Sequence, residues 1–354
     1  MRYLVTGGAG FIGFALVRHL VAAGAERVSV ADKLTYAANP AALAWFQGRP
    51  EVAFHRADVT DARAMADLLA AERPDAVLHL AAESHVDRSI EQPLAFLETN
   101  VMGSAVLLQA ALAHWRGLPA AGQERFRFLQ VSTDEVYGTL GPDDAAFHEA
   151  TPFRPNSPYA ASKAAADHMA RAWARTYGLP VIVTHCSNNY GPWQFPEKLI
   201  PLMLQKALAG EPLPVYGDGR QVRDWLHVED HAAALAAVLA RGRPGESYNI
   251  GGGCEVENLT LVGLLCRHLD GCAPRGDGRP HASAVRHVAD RPGHDRRYAI
   301  DYAKLRREIG FVPPTPFETG LAATIDWYLA NRDWMASLQR ERYGGERLGL
   351  VRQA

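Results

Sequence analysis

The chain has 354 residues, of which 48% are hydrophobic and 21% charged, as is ordinary for a globular protein. Its 37 basic and 39 acidic residues give a formal net charge of −2, which argues against an electrostatic nucleic-acid binder. The length suits one large domain or two interleaved ones.

Short apolar runs alternate along the first half of the chain with segments in which apolar residues recur every three or four positions. This alternation predicts an α/β fold with a doubly wound parallel Rossmann sheet, covered by helices on both faces. The predicted strands are Arg2–Thr6, Arg27–Ala31, Val52–His55, Ala76–Leu80, Phe126–Val131 and Val181–Thr184. The predicted helices between them are Phe11–Ala23, Ala62–Ala71, Leu94–His114 and Tyr159–Tyr177.

Proline and glycine become frequent after about Asn188, and the elements become shorter. Helices are predicted at Val228–Leu239 and near Leu259–Leu269. We expect a dinucleotide-binding domain at 1–189 and about 224–251, and a smaller, mostly C-terminal substrate domain at 190–223 and about 252–354. The charged, glycine-containing stretch Arg340–Ala354 is expected to pack loosely.

The first predicted strand runs directly into the glycine-rich segment Gly7–Gly13, which is followed by a helix. Glycines there permit a tight turn and close approach of a pyrophosphate, whose charge the helix N-terminus favours. Asp32 ends the second strand, where a carboxylate accepts hydrogen bonds from a ribose diol and repels a 2′-phosphate. The glycine-rich segment and Asp32 together predict NAD rather than NADP, although Lys33 could tolerate a 2′-phosphate.

The ends of the third and fourth strands add candidate cofactor contacts. Asp58 and Val59 would lie near the adenine, and the segment Leu80–Ser84 would pass beside the middle of the cofactor. Either segment alone would be interpreted as an ordinary strand-end loop.

Tyr159 and Lys163 lie four residues apart at the start of a predicted helix and therefore share one face. A lysine ammonium beside a phenol favours the phenolate, which lets tyrosine act as a base. Thr133 ends the preceding strand, at the carboxyl edge where such sheets carry their sites. It is placed to hydrogen-bond an oxygen that Tyr159 deprotonates.

In this order and spacing, the glycines, Asp32, Thr133, Tyr159 and Lys163 resemble the extended short-chain dehydrogenase/reductase family of NAD-dependent epimerases and dehydratases. The segment Ser132–Gly138, which contains the adjacent carboxylates Asp134 and Glu135, resembles the dTDP-glucose 4,6-dehydratases within that family. Further matching segments are Ala82–Ser89, Ser187–Pro192, Phe195–Pro201, Arg223–His231 and Asp290–Asp295. Ala160 departs from the usual pattern, in which serine is more frequent.

The resemblance implies a hydro-lyase that converts dTDP-glucose to dTDP-4-keto-6-deoxyglucose and water. In it Tyr159 takes the C4 hydroxyl proton while Thr133 holds that oxygen and Lys163 tunes Tyr159. Glu135 then removes the C5 proton, and Asp134 protonates the departing C6 hydroxyl. Hydride leaves C4 for NAD during the oxidation and returns from NADH to C6 after the elimination, so NAD is regenerated in each turnover.

The resemblance also implies which residues contact the ligands. The full predicted cofactor set is Gly7, Gly10, Phe11, Ile12, Gly13, Asp32, Lys33, Leu34, Thr35, Asp58, Val59, Leu80, Ala81, Ala82, Ser84, Thr99, Tyr159, Lys163 and Asn189. The predicted substrate set is Ser84, Thr133, Asn188, Glu197, Lys198, Leu199, Pro214, Tyr216, Arg223, Asn258, Arg291 and His294. A homodimer paired through the helices near Leu94–His114 and Tyr159–Tyr177 is also implied.

Four alternatives remain at this stage. A nucleotide-sugar 4-epimerase would not need the Asp134–Glu135 pair, and a UDP-glucuronate decarboxylase would need provision for a sugar carboxylate. A dehydratase for another nucleotide-activated hexose is also possible. A non-catalytic dinucleotide-binding protein could lose Tyr159 and Lys163, which are both present here.

Metals, disulfides and membranes are not expected. The fourteen histidines form no H-E-x-x-H pattern, and the four cysteines, with no C-x-x-C pair, are expected to be buried thiols. The N-terminus lacks the pattern of a signal peptide, and no apolar run is judged long enough to span a bilayer. The expected location is therefore the cytoplasm.

Overall fold

The computed structural model describes residues 1–341 and Tyr343, so the prediction for Arg340–Ala354 falls almost wholly outside the described part. The strands are β1 Arg2–Thr6, β2 Arg27–Asp32, β3 Val52–Arg56, β4 Ala76–His79, β5 Arg127–Thr133, β6 Val181–Cys186, β7 Asn188–Tyr190, β8 Leu213–Tyr216, β9 Val222–His227, β10 Ser247–Ile250, β11 Glu255–Glu257 and β12 Val285–Val288. The α-helices are α1 Phe11–Ala22, α2 Pro40–Gln47, α3 Ala62–Glu72, α4 Val86–Glu91, α5 Pro93–Phe96, α6 Gly103–Arg116, α7 Ala120–Arg125, α8 Pro158–Tyr177, α9 Leu199–Leu208, α10 Val228–Arg241, α11 Asn258–Cys272, α12 Phe317–Ala330 and α13 Arg332–Glu341.

Within the described residues, seven strands form one sheet in the order β10-β6-β5-β4-β1-β2-β3. All of its pairings are parallel. Strand order reverses between β1 and β4, so a crevice opens at their carboxyl ends, where open α/β sheets bind ligands. The predicted doubly wound Rossmann sheet is confirmed.

The remaining strands form two small sheets, β11-β9-β7 and β12-β8. They come from the proline- and glycine-rich part of the chain, where short elements are predicted. β10 returns to the large sheet beside β6, as does α10, which packs against α1. The division of the chain into two interleaved domains remains our proposal.

The predicted helix Leu94–His114 is part of a longer helical stretch, Pro93–Arg116. Its middle, Leu97–Met102, forms a π-helical turn between α5 and α6. By length and composition this stretch could cross a membrane, with a mean hydropathy of 1.3. The expectation that no apolar run is long enough to span a bilayer was therefore wrong by this test of length and composition, because the helical stretch continues through Glu98. Core helices of globular proteins meet the same criteria, and this one packs against α3 and α8.

The cysteines are free thiols in the described part of the chain. Cys186 and Cys266 are buried, as expected, whereas Cys254 is half-buried and Cys272 is exposed. The expectation of burial was wrong for Cys272, which lies at the end of α11 on the protein surface.

Candidate active site

A single continuous cavity runs along the carboxyl edge of the large sheet and extends into the loop before α9. The predicted catalytic residues all line it, and they come from two segments, the end of β5 with the turn that follows it and the start of α8. The predicted cofactor residues in its lining are Gly7, Gly10, Phe11, Ile12, Gly13, Asp32, Lys33, Thr35, Val59, Leu80, Ala81, Ala82, Ser84, Thr99, Tyr159, Lys163 and Asn189.

Two predicted cofactor residues, Leu34 and Asp58, are not part of this lining but contact side chains that are. The Leu34 backbone N–H donates to Asp32 Oδ1 at 2.8 Å, and Leu34 adopts a positive φ of 62°. Asp58 pairs with Lys33, with 3.5 Å between Oδ2 and Nζ. Both residues therefore hold side chains that face the cavity.

The glycine-rich turn after β1 is shaped for close approach of another group. Gly7 has a φ of 71°, and a Cβ there would lie 2.6 Å from the backbone nitrogen of Ala81. A Cβ on Gly13 would overlap the Gly7 carbonyl oxygen. The turn leads into α1, whose N-terminus points free N–H groups at the cavity. This cradle fits a pyrophosphate.

The end of β2 presents a carboxylate held in place by backbone donors. Asp32 Oδ2 accepts from the Ala9 N–H at 3.0 Å, in addition to the bond from Leu34. Lys33 Nζ donates to Thr99 Oγ1 at 3.2 Å and lies 3.9 Å from Glu83. Because carboxylates already surround Lys33, it is poorly available for a 2′-phosphate. The arrangement fits a ribose diol.

Helix α8 begins at a capped end that orients its first turn. The Ser157 side chain accepts from the Ala160 N–H at 3.1 Å, and Pro158 occupies the first helical position. Tyr159 and Lys163 lie on the buried face, 9% and 5% exposed. Lys163 Nζ donates to the Val131 carbonyl oxygen at 2.8 Å, which ties the helix to β5.

The pKa of Tyr159 is well above its ordinary value, chiefly because of burial and then because of Glu135, while Thr133 opposes the rise. The depression of that pKa expected from Lys163 is therefore not found in the protein alone. Burial also lowers the pKa of the Lys163 ammonium. Tyr159 needs a further positive charge in the cavity before it can act as a base.

Asp134 and Glu135 form one turn of 3₁₀-helix directly after β5, and their surroundings differ. Burial raises the pKa of Asp134 well above its ordinary value, and the carboxylates of Glu135 and Asp224 raise it further. Its Oδ2 is buried without a hydrogen-bond partner among the described residues. These surroundings favour the protonated form of Asp134, and the Oδ2 atom has no partner among the described residues.

Burial also raises the pKa of Glu135, but Arg291, Arg223 and Lys198 oppose that rise. Cations stabilise the ionised form of Glu135, whereas carboxylates destabilise that of Asp134. Burial raises the pKa of both carboxyl groups and Arg223 opposes both rises, but more cations act on Glu135 and more carboxylates act on Asp134. The two adjacent groups thus have different surroundings, as an acid and a base require.

The predicted substrate residues fall into two groups. Ser84, Thr133, Asn188, Glu197 and Lys198 line the cavity. The others, outside the lining, are Leu199, Pro214, Tyr216, Arg223, Asn258, Arg291 and His294.

Several residues of the second group lie close to the first. Burial lowers the pKa of His294 to about 4, and the nearby charges of Arg291 and Arg223 contribute to this fall. The amide oxygens of Asn188 and Asn258 are buried and have no hydrogen-bond partner in the described part of the chain. A cluster of cations beside unpaired amides suits a polar, anionic ligand.

Both oxygens of the Glu197 carboxylate are already engaged. Arg88 Nε donates to one at 2.9 Å, and the Tyr36 hydroxyl donates to the other at 3.0 Å. Lys198 Nζ donates to the Ser84 carbonyl oxygen at 3.0 Å. These bonds join the loop before α9 to loops of the large sheet.

Sequence reasoning missed several residues of the site. Asp87 accepts from Arg291 at 2.6 Å and from the Tyr216 hydroxyl at 3.2 Å, and so holds two predicted substrate residues. Cys186 and Glu83 line the cavity. Only the segment Ala82–Ser89 carried a signal for Asp87 and Glu83.

A possible metal-ligand group lies elsewhere on the surface. His268, Cys272 and Asp326 offer ligand atoms within 4.8 Å of one another. None of them lines the cavity. The absence of a metal remains a prediction.

The family model described as GDP-mannose 4,6 dehydratase matches residues 4–324. The chain belongs to that family. Among curated relatives of the family, the dTDP-glucose 4,6-dehydratase of Xanthomonas campestris is 55% identical over 349 residues, covering 99% of each chain. That of Escherichia coli is 52% identical over 361 residues, covering 99% of this chain and 100% of the relative.

Solved structures of family members share the architecture. DesIV, a dTDP-glucose 4,6-dehydratase from Streptomyces venezuelae with NAD and TYD bound, is 50% identical with a TM-score of 0.87, covering 96% of this chain and 100% of that one. The UDP-glucose 4-epimerase of Thermus thermophilus in complex with NAD is 30% identical with a TM-score of 0.81, covering 93% and 99%. The similarity is thus higher to the dehydratase than to this epimerase.

Proposed function

We propose that the chain is an NAD-dependent dTDP-glucose 4,6-dehydratase, a hydro-lyase that forms dTDP-4-keto-6-deoxyglucose and water. The observation that carries this proposal is the pair Asp134 and Glu135, which line one cavity with Thr133 and Tyr159 and differ in the charges that surround them. The names of the full-length relatives at 52–55% identity support dTDP-glucose as the substrate.

The cofactor site is proposed to bind NAD. The glycine turn before α1 would hold the pyrophosphate, and Asp32 the adenosine ribose. NAD supplies the hydride acceptor and later donor for the sugar, and its oxidised ring adds the positive charge that Tyr159 lacks in the protein alone. Lys163 would contact the nicotinamide ribose from the face of α8 that it shares with Tyr159.

The proposed oxidation uses groups at the carboxyl end of β5 and the start of α8. Tyr159 accepts the proton of the sugar C4 hydroxyl, while the Thr133 hydroxyl holds that oxygen. Lys163, anchored to the Val131 carbonyl, keeps its charge beside Tyr159. The resulting C4 ketone acidifies the proton on C5.

The proposed elimination uses the two carboxyl groups. Glu135, surrounded by Arg223, Arg291 and Lys198, is the base that takes the C5 proton. Asp134 is the acid that protonates the C6 hydroxyl as it leaves, and its unpartnered Oδ2 supports that role.

The cation cluster is proposed to bind the nucleoside diphosphate. Arg223 and Arg291 provide guanidinium donors for phosphate, and Asn188 and Asn258 provide free amide oxygens. Tyr216, whose ring centre lies 6.1 Å from that of His294, is proposed to lie beside the base.

Isotope tracing tests the reaction. With dTDP-glucose deuterated at C4, the label should appear at C6 of the product, and solvent deuterium should enter C5. Label that stays at C4 in an epimerised product would identify a 4-epimerase instead. Parallel assays with GDP-mannose, UDP-glucose and CDP-glucose test the nucleotide, and faster turnover of any of them than of dTDP-glucose would contradict the proposed substrate.

We further propose a cytoplasmic homodimer that serves deoxysugar biosynthesis, such as that of dTDP-rhamnose. Support for the dimer comes from Leu94, Leu97 and Met102, which are 75%, 46% and 58% exposed on the helical stretch Pro93–Arg116. In the π-helical turn, residues five apart such as Leu97 and Met102 lie on the same side. Such an apolar stripe suits a second copy of the chain.

A further inference from the structure

Helix α8 carries a third buried ionisable residue that the proposed reaction does not use. Asp167 lies four residues after Lys163 and eight after Tyr159, so all three share one face. Asp167 is completely buried. A buried carboxylate is costly unless it is paired and hydrogen-bonded, so its contacts indicate what it stabilises.

The Asp167 carboxylate joins α8 to the two central strands of the site. The Ser132 hydroxyl donates to Oδ2 at 2.7 Å, and His185 Nε2 lies 3.2 Å from the same oxygen. Ser132 directly precedes Thr133 at the end of β5, and His185 directly precedes Cys186 at the end of β6. Any shift of α8 along the strands would therefore break contacts at both.

The charge of Asp167 acts on Lys163. Burial is the largest effect on Lys163 and lowers its pKa, whereas Asp167 and Cys186 oppose that fall. Burial and Asp134 raise the pKa of the Cys186 thiol to about 12, so the thiol stays neutral.

Other titratable groups around Lys163 offer it little compensation. Burial and the Lys163 charge lower the pKa of His79 to about 3, which makes it neutral too. Tyr159 and Asp134 have raised pKa values, and cations already surround Glu135. Asp167 is thus the carboxylate that supports the Lys163 charge.

We propose that Asp167 is a positioning residue of the dehydratase reaction, which fixes α8 against β5 and β6 and keeps Lys163 charged beside Tyr159. The inference rests on the proposed function, because it assigns Asp167 to the C4 oxidation step. It acts through Lys163 and Tyr159 and touches neither substrate nor cofactor.

The test is Asp167→Asn, which keeps the shape of the side chain and removes its charge. C4 oxidation is followed as the NADH absorbance of single turnovers with dTDP-glucose between pH 6 and pH 10. The alkaline limb of the oxidation rate should move to lower pH by about one unit, the effect of losing an opposite charge nearby. The KM for dTDP-glucose should stay within about two-fold.

Two further variants separate the effect of charge from that of contact. Asp167→Glu retains the charge and should restore the alkaline limb. Ser132→Ala retains the Asp167 charge but loses one contact, so it should slow oxidation without moving the limb.

Asp230→Asn is the matched control for removal of a buried carboxylate. Asp230 is 5% exposed and accepts from the Thr315 hydroxyl at 2.9 Å, outside the cavity lining. This variant should lose stability in thermal unfolding but keep the wild-type pH profile.

Each outcome decides the proposal. An unchanged limb in Asp167→Asn, or an equal shift in Asp230→Asn, would overturn it. If Asp167→Asn does not fold, Asp167→Glu decides the proposal. An alkaline limb at the wild-type pH in Asp167→Glu supports a role for the charge at position 167. An alkaline limb moved to lower pH by about one unit in Asp167→Glu contradicts that role. Failure of the proposed function would appear separately, as wild-type protein that gives no NADH transient with dTDP-glucose.

Discussion

Asp134 and Glu135 are neighbours in the chain, yet their electrostatic surroundings come from different parts of the fold. Asp224 of β9 lies near Asp134, whereas Arg223 and Arg291 oppose the raised pKa of Glu135. The difference in surroundings therefore comes from β9 and from the segments that carry Lys198 and Arg291, which place residues far apart in sequence around one turn after β5.

The buried acid has a measurable effect on stability. Because its pKa is raised in the folded protein, the stability that Asp134 contributes is complete below its unfolded pKa of about 4. It is lost as the pH rises through the folded value. Asp134→Asn should therefore raise the thermal unfolding temperature at pH 8, with the gain vanishing near pH 4, while turnover falls about 10²- to 10⁴-fold.

Asp277→Asn is the control for that prediction. Asp277 is exposed, and its pKa is lowered, chiefly by the hydrogen bond from Arg275. Its replacement should produce no stabilisation at pH 8 and no loss of turnover. A lower unfolding temperature for Asp134→Asn at pH 8 would contradict a raised pKa of Asp134 in the folded protein.

A second prediction concerns the cations around Glu135. Arg291→Gln should allow the pKa of Glu135 to rise, because Arg291 is the largest effect that opposes burial. The acid limb of solvent-deuterium entry at C5 should then move to higher pH. The value of kcat/KM should fall by about 10- to 100-fold, as expected for the loss of charge-assisted hydrogen bonds.

Arg286→Gln is the matched control, since Arg286 lies on β12 close by in sequence and donates only to nearby carbonyls of Ser283 and Val285. It should leave both measurements near wild type. An Arg291→Gln enzyme with an unchanged acid limb would remove Arg291 from the environment of Glu135.

At the scale of elements, the glycine turn and α1 form one unit with β1. Gly13→Ala places a Cβ against the Gly7 carbonyl oxygen, a backbone atom that cannot move aside cheaply. We expect a loss of about 1–3 kcal/mol in the free energy of unfolding and loss of NAD from the purified protein. Denaturant unfolding and the absorbance ratio at 260 and 280 nm measure these effects.

Gly271→Ala provides the comparison, because nothing lies within 4 Å of a Cβ at that position of α11. It should change stability by less than about 1 kcal/mol and leave NAD content unchanged. Equal NAD content in Gly13→Ala and wild type would argue against the turn as the pyrophosphate site.

The sequence predicts elements better than it predicts environments. Strands such as Val181–Thr184 and the helix beginning near Tyr159 are recognisable because their apolar pattern is local. The π-helical turn Leu97–Met102 cannot be recognised in this way, since its hydrogen bonds span only one residue more than those of an α-helix. The order Thr133, Tyr159 and Lys163 predicts oxidation, but the raised pKa of Tyr159 depends on burial that only the assembled sheet creates.

At the scale of the whole molecule, the two groups of segments are joined across the cavity. Glu197, before α9, accepts from Arg88 of α4 and from Tyr36 after β2. Asp87 of α4 similarly holds Arg291 and Tyr216. Helix α4 thus contacts segments on the cofactor side of the site and segments on the substrate side.

The proposed dimer belongs to the same scale, and its interface would lie next to the active site at the start of α8. The ring of Phe96, in α5, lies 6.3 Å from the ring of Tyr159 in an edge-to-face contact. The double variant Leu94→Glu and Met102→Glu places two charges in the exposed apolar stripe, where burial in an interface would be costly. It should be monomeric by light scattering at micromolar concentration, and its kcat should fall because α5 no longer supports Tyr159.

Val312→Glu is the control. Val312 is an exposed apolar residue too, with an exposed fraction of 51%, but it is not part of this helical stretch. It should keep the mass and turnover of the wild type. A monomeric wild type, or a double variant with the wild-type mass, would contradict an interface through this stripe. A double variant that is monomeric yet fully active would support the interface. It would also show that α5 holds Tyr159 without help from a second copy.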